Sequence, residues 1–106
     1  VICEAAIDAL SFAALDQARV PGTLYASTAG GMGPETIAAI QAHLADMKAL
    51  PDAVLVVATD DDDAGNAFAD TLYRLADDAD VAFMRRLPPD RAKDFNQTLK
   101  NRAQAA

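Results

Sequence analysis

Five consecutive apolar residues, Val54-Leu55-Val56-Val57-Ala58, run through Thr59 into four aspartates, Asp60 to Asp63. A short run carrying three valines suits a strand buried on both faces of a parallel sheet. A buried strand needs cover on each side, so the rest of the chain must supply helices, and the periodicities around it do so. Ile7, Leu10, Ala14 and Leu15 recur at helical spacing until Val20-Pro21-Gly22 stops the pattern. Pro34 suits a first helical turn, and Ile37, Ile40, Leu44 and Met47 mark the apolar face of a helix ending before Pro51. A third helix carries Phe68, Leu72 and Leu75 inward, and a fourth runs from about Ala92 with Phe95 and Leu99 as its contacts.

Three weaker strands complete the alternation: Val1 to Cys3, Thr23 to Ala26 and Val81 to Met84. The expectation is a single α/β domain over residues 1–106, with a four-stranded, mainly parallel sheet in the order 2-1-3-4 and helices on both faces. With 6% aromatic residues and no tryptophan, the core should be built of thin aliphatic layers. The chain opens inside a strand without an initiator methionine, so we expect a piece of a longer, multidomain protein.

Charge narrows the functional classes. Nine Lys or Arg stand against sixteen Asp or Glu, a formal charge of -7, so the chain does not hold nucleic acid by bulk positive charge. Contact with a polyanion must be local or carried by a metal ion. Cys3 is the one cysteine, which excludes an internal disulfide and suits a reducing, cytoplasmic compartment. No apolar run approaches the roughly 18 to 20 residues that cross a bilayer, so no membrane partner is expected. Nothing fixes the oligomeric state.

In open parallel sheets, ligands bind beyond the carboxyl ends of the strands. Glu4 follows the first strand, Ser27 to Gly33 the second, Asp60 to Asp63 the third, and Arg85 and Arg86 the fourth. With strand one beside strand three, Glu4 meets the aspartate run. Adjacent carboxylates repel and gain from a divalent cation, and Mg²⁺ takes hard oxygen ligands of this kind, with Mn²⁺ as a substitute. Residues two apart in an extended segment point the same way, so Asp60 and Asp62 are the pair that reaches one ion. The competing reading is that Asp62 or Asp63 caps the next helix and the others are solvated.

Glu4-Ala5-Ala6-Ile7-Asp8 after a strand, and Asp60-Asp61-Asp62-Asp63-Ala64-Gly65 after another, resemble the Toprim domain of topoisomerases, bacterial-type primases and related nucleases. Lys93-Asp94-Phe95-Asn96 is similar to a Lys-Asp-Trp-Asn motif of Toprim domains in plasmid and mobile-element primases and mobilisation proteins. The resemblance implies a Rossmann-like Toprim fold, with Glu4 as general acid or base, Asp60 and Asp62 holding Mg²⁺, and all three carboxylates, Glu4 included, within reach of that one ion. The implied reaction is phosphoryl or nucleotidyl transfer on DNA or nucleotides, carried out by a full-length parent; strand cleavage or rejoining is the near alternative. Asp8 matches an acidic position of primase-type members, and an exposed helix aspartate reads equally well there. The chain departs from many relatives in carrying Ala5 for Gly, Asn66 for a basic residue and Phe95 for Trp. These departures bear on substrate contacts more than on the metal.

Lesser candidates for substrate or phosphate are Gly30 and Gly31, Arg85, Arg86 and Lys93, and Asp94 within its motif. The glycines precede a helix but lack the Lys-Ser or Lys-Thr of a P-loop, which favours a plain turn. The basic residues serve equally well to receive a phosphate or to balance the aspartates. Two other classes compete with the enzyme: a noncatalytic module docking a basic partner on its acidic edge, and a receiver-type regulator. The latter would want a lone aspartate at a strand end.

Overall fold

The computed structural model describes residues 1–17 and 20–105. In chain order the elements are β1 (Ile2–Cys3), α1 (Ala6–Leu15), β2 (Ala26–Ser27), α2 (Pro34–Lys48), β3 (Val54–Val57), α3 (Asp63–Asp78), β4 (Ala82–Arg85) and α4 (Phe95–Ala105). The sheet order is β2-β1-β3-β4 and every pair is parallel, as expected. β4 follows β3 in full register from Val54↔Ala82 to Val57↔Arg85, whereas β1 meets β3 only through Ile2↔Val57. That single register point sets Glu4 beside the turn that leaves β3.

Alternation along β3 divides the core between the two faces. Leu55 and Val57 point to α2 and α3, where they pack with Ile40, Leu44, Ala69, Leu72 and Ala76. Val56 and Ala58 face α1 and α4, joining Cys3, Ala9, Phe12 and Phe95. The first layer is aliphatic, as the composition suggests. The second is not: Phe12 and Phe95 meet at 4.8 Å between ring centroids, and Tyr25 flanks Phe12 at 6.1 Å. Three of the six aromatic side chains thus meet on the α1 and α4 side, while Tyr73 and Phe83 pair edge to face at 5.2 Å beside the first layer.

The expected inward face of α1 is a correction. Ile7 and Leu10 are 56% and 73% exposed, while Asp8, Ala9, Ser11 and Phe12 are buried. Phe12 buries more apolar surface than either aliphatic residue can, and it turns the helix so that Asp8 and Ser11 come with it. Both polar groups find partners on α4: Asn96 N–H donates to Asp8 Oδ1 at 3.1 Å, and Ser11 Oγ donates to Asn96 Oδ1 at 3.3 Å. Burial of the two polar side chains is thus compensated.

Boundaries also move, and β2 lies at Ala26–Ser27 rather than Thr23 to Ala26. β4 ends at Arg85 rather than Met84, which makes Arg85 a strand residue. α4 starts at Phe95 rather than near Ala92, because Asp90 and Arg91 take left-handed φ values of 64° and 58° that a helix cannot use. Asp94 then accepts from Gln97 N–H at 2.7 Å, as an N-cap does. Among the described residues no helix is long and apolar enough to cross a membrane.

Candidate metal centre

Three backbone connections assemble the edge beyond the strands. Gly30, at φ 79°, donates its N–H to Glu4 O at 2.8 Å and so holds the residue after β1 against the β2 loop. Asp61 N–H donates to Lys93 O at 2.7 Å, which ties the approach to α4 to the turn after β3. Asp60 N–H donates to Glu4 Oε1 at 3.1 Å. Glu4, Asp60 and the Lys93-Asp94 segment are thereby drawn to one place.

Asp8, Asp60 and Asp94 each offer a carboxylate oxygen there, all within 4.8 Å of one another. Asp8 is buried and the other two are half-buried. Asn96 N–H meets one oxygen of Asp8 and Gln97 N–H one oxygen of Asp94, leaving a second oxygen on each. Burial pushes the Asp60 carboxyl up to about 6, and the charges of Glu4, Asp8, Asp94 and Asp62 push it the same way. Asp8 is also raised, chiefly by burial, with the Asn96 amide opposing and the charge of Asp94 adding a smaller push upward. Carboxylates that raise one another in this manner are stabilised by a bound cation. Opposite ligands on an octahedral Mg²⁺ are about 4 Å apart, so three hard oxygens in this envelope suit such an ion.

Asp62 is engaged elsewhere. Its Oδ1 accepts from Gly65 N–H at 2.7 Å and caps α3, while Oδ2 lies 3.5 Å from Lys93 Nζ. The first turn of α3 leaves backbone donors unpaired, and an extended Asp immediately before it is well placed to take one. Asp61 and Asp63 are exposed.

Gly65 explains the small residue five positions after Asp60. A Cβ on Gly65 would collide with the backbone of Asp60, so the first turn of α3 packs directly on the chain that presents the carboxylate. Thr59, fully buried, donates its hydroxyl to Gly65 O at 2.7 Å. Arg85 completes this support, donating to Asp60 O at 3.1 Å, to Gly65 O and Asn66 Oδ1 at 3.3 Å, and to Thr59 O at 3.4 Å. Its guanidinium clamps the turn from behind the cluster.

Arg86 leaves the strand in the opposite direction and is exposed, lining a groove with Phe12, Phe95 and Arg102. Lys93 is exposed beside Asp62. Gly30 spends its N–H on Glu4, and Gly31 N–H turns back to Thr28 O at 3.3 Å. His43 is exposed on α2, and Cys3 is fully buried with its thiol pushed up to about 12, chiefly by burial. Sequence reasoning missed Thr59, Ser11 and the clamping role of Arg85, and it marked Gly65 and Asn96 within motifs without giving them a role. The signals were the Asp-x-Asp-x-Ala-Gly run for Gly65 and the Lys-Asp-Phe-Asn segment for Asn96.

A family model described as Toprim-like matches residues 1–99. No curated protein and no solved structure matches the chain.

Proposed function

The chain belongs to the Toprim-like family, and on that premise we propose that its acidic edge holds Mg²⁺ or Mn²⁺ and serves phosphoryl or nucleotidyl transfer on DNA. The observation that carries the reading is the convergence of Asp8, Asp60 and Asp94 on one small volume, with Glu4 bonded to the backbone of Asp60. In this proposal the three aspartates hold the ion, and Asp62 shapes the turn through its cap while keeping Oδ2 toward Lys93. A divalent ion bound there would neutralise charge developing on a phosphate.

Glu4 is the proposed general acid or base. Asp60 N–H fixes its Oε1, which aims the carboxylate and leaves the other oxygen to take or return a proton at a sugar hydroxyl. The buried Asp8 is anchored by Asn96, so α1 and α4 together set the position of the aspartate oxygens. We take primer synthesis by a plasmid or mobile-element protein as the leading reaction, in the cytoplasm and within a longer parent. The Lys93-Asp94-Phe95-Asn96 segment supports that choice, since it contributes Asp94 to the cluster. Strand cleavage or rejoining would use the same groups. The test is metal-dependent primer synthesis by the full-length parent with and without Glu4→Gln: the substitution is expected to lower the rate at least a hundredfold. Unchanged synthesis would remove Glu4 from the mechanism.

A noncatalytic docking module is the second reading, favoured by the exposed Asp61 and Asp63 on a chain of charge -7. Millimolar Mg²⁺ separates the two, because a specific site raises the melting temperature and a docking edge does not.

A further inference from the structure

β4 closes the sheet on one side: its inner neighbour is β3, and among the described residues no strand pairs with its other flank. Arg86 N–H donates to Val57 O at 2.9 Å, so alternation turns the backbone groups of Ala82 and Met84 toward β3 and those of Phe83 and Arg85 outward. The outward groups form a row of unspent donors and acceptors. Soluble proteins blunt such a flank with lysine, proline, a bulge or a very short strand. β2, at the opposite edge, is two residues long, but β4 keeps unbroken register over four, and Val81-Ala82-Phe83-Met84 carries none of these devices.

Apolar side chains continue along the same flank. Tyr73, 52% exposed, stands edge to face with Phe83 on the α3 side, and Met84, 44% exposed, lies on the other face of the sheet. Charge reverses from one end of the flank to the other. Asp77, Asp78 and Asp80 precede the strand, offset by Lys48, whose Nζ lies 2.7 Å from Asp80; Arg85 and Arg86 close it, offset by Asp70 beside Arg85. An antiparallel copy sets each end against its opposite. The helices leave room for it. α3 covers β3 and β4, so across a shared edge two α3 helices lie two strand spacings apart, roughly 9 to 10 Å, an ordinary distance for packed helices. Asp70, Tyr73 and Asp77 share a face of α3, with Arg74 one turn from both aspartates.

We propose that the free edge of β4 is the pairing surface for a second copy of this chain, joined antiparallel about a two-fold axis at Phe83 so that the two sheets become one. Because Phe83 and Arg85 are the outward residues, only registers that pair odd positions with odd positions satisfy both backbones. Of these, the one centred on Phe83 also carries Arg86 toward the partner's Asp80. It sets Arg85 opposite the partner's Val81 and Met84 opposite the partner's Ala82. The carboxyl ends of the two sets of strands then point in opposite directions, so both acidic clusters stay open and the pairing does not depend on the metal they are proposed to hold.

The test is sedimentation velocity of this chain at about 100 μM in chelator and low salt, where a dimer is expected. Met84→Lys, at an exposed position, is expected to weaken the dimer at least tenfold while leaving Mn²⁺ binding and the melting temperature of dilute protein unchanged. Register is read by mixing Ala82→Cys and Met84→Cys chains under oxidised glutathione. That opposed pair, about 4.5 Å apart at Cα, is expected to form a disulfide between copies, whereas Ala82→Cys alone is not; the buried Cys3 does not compete. A monomer at this concentration would assign the edge to another segment or partner and overturn the pairing, as would a dimer indifferent to Met84→Lys. A dimer whose mixed chains fail to cross-link, or in which Ala82→Cys cross-links alone, overturns the register.

Discussion

Asp60→Asn should make the metal-free domain more stable while removing the group most central to its proposed chemistry. The substitution keeps the shape of the side chain and deletes one charge from a cluster in which burial and four neighbouring carboxylates all act against that charge. Moving the carboxyl from its ordinary 3.8 to about 6 corresponds at face value to about 3 kcal/mol disfavouring the folded state at neutral pH. Because the side chain is only half-buried, solvent and salt screening reduce this to about 1 kcal/mol. In a domain of this length that is a rise of about 4 to 8 °C in melting temperature. The assay is thermal and urea unfolding of both proteins in chelator at low ionic strength.

pH supplies an internal control on the sign. A carboxyl raised on folding binds more protons in the folded than in the unfolded state between about 3.8 and about 6. Its penalty is therefore full above about 6 and fades as pH falls toward 3.8, so the advantage of Asp60→Asn should shrink over that window. An Asn variant no more stable than wild type at pH 7 in chelator, or an advantage independent of pH, would refute the electrostatic account of the cluster.

Other substitutions separate the supports of the site from its ligands. Asp62→Ala should cost about 1 kcal/mol in urea unfolding through the lost α3 cap. Gly65→Ala should cost about 2 kcal/mol or more and also weaken Mn²⁺ binding, because the added methyl displaces the backbone of Asp60; an Ala variant with wild-type stability would contradict the close approach. Cys3, fully buried with its thiol pushed up to about 12, should react with a thiol reagent at pH 8 only at the rate of unfolding. Rapid labelling of the folded chain would show that β1 is not covered by α1 and α4.

The sheet and its ligand edge were legible because they rest on strong local patterns. Val54 to Ala58 can scarcely be anything but a covered strand, and the polar groups after each strand follow from the parallel arrangement. The orientation of α1 was not legible. Ile7 and Leu10 give a plausible apolar stripe, and only the partnership of Phe12 with Phe95, 83 residues away in sequence, decides that Asp8 turns inward. Asp62 fits two patterns at once, standing two residues after Asp60 in an extended segment and one before a helix, and its cap on α3 follows from where that helix begins. Asp94 entered the cluster through the same α1–α4 crossing, which its own sequence neighbourhood marks but does not place.

The central claim is that Asp8, Asp60 and Asp94 form one divalent-cation site. Its most direct measurement is Mn²⁺ binding followed by electron paramagnetic resonance at pH 7, for the wild type, for Asp8→Asn, Asp60→Asn and Asp94→Asn singly, and for Asp62→Ala. One specific site is expected in the wild type, weakened at least tenfold by each Asn substitution and retained in Asp62→Ala. Binding that survives Asp60→Asn, or that is lost with Asp62 and indifferent to Asp8 and Asp94, would contradict the account.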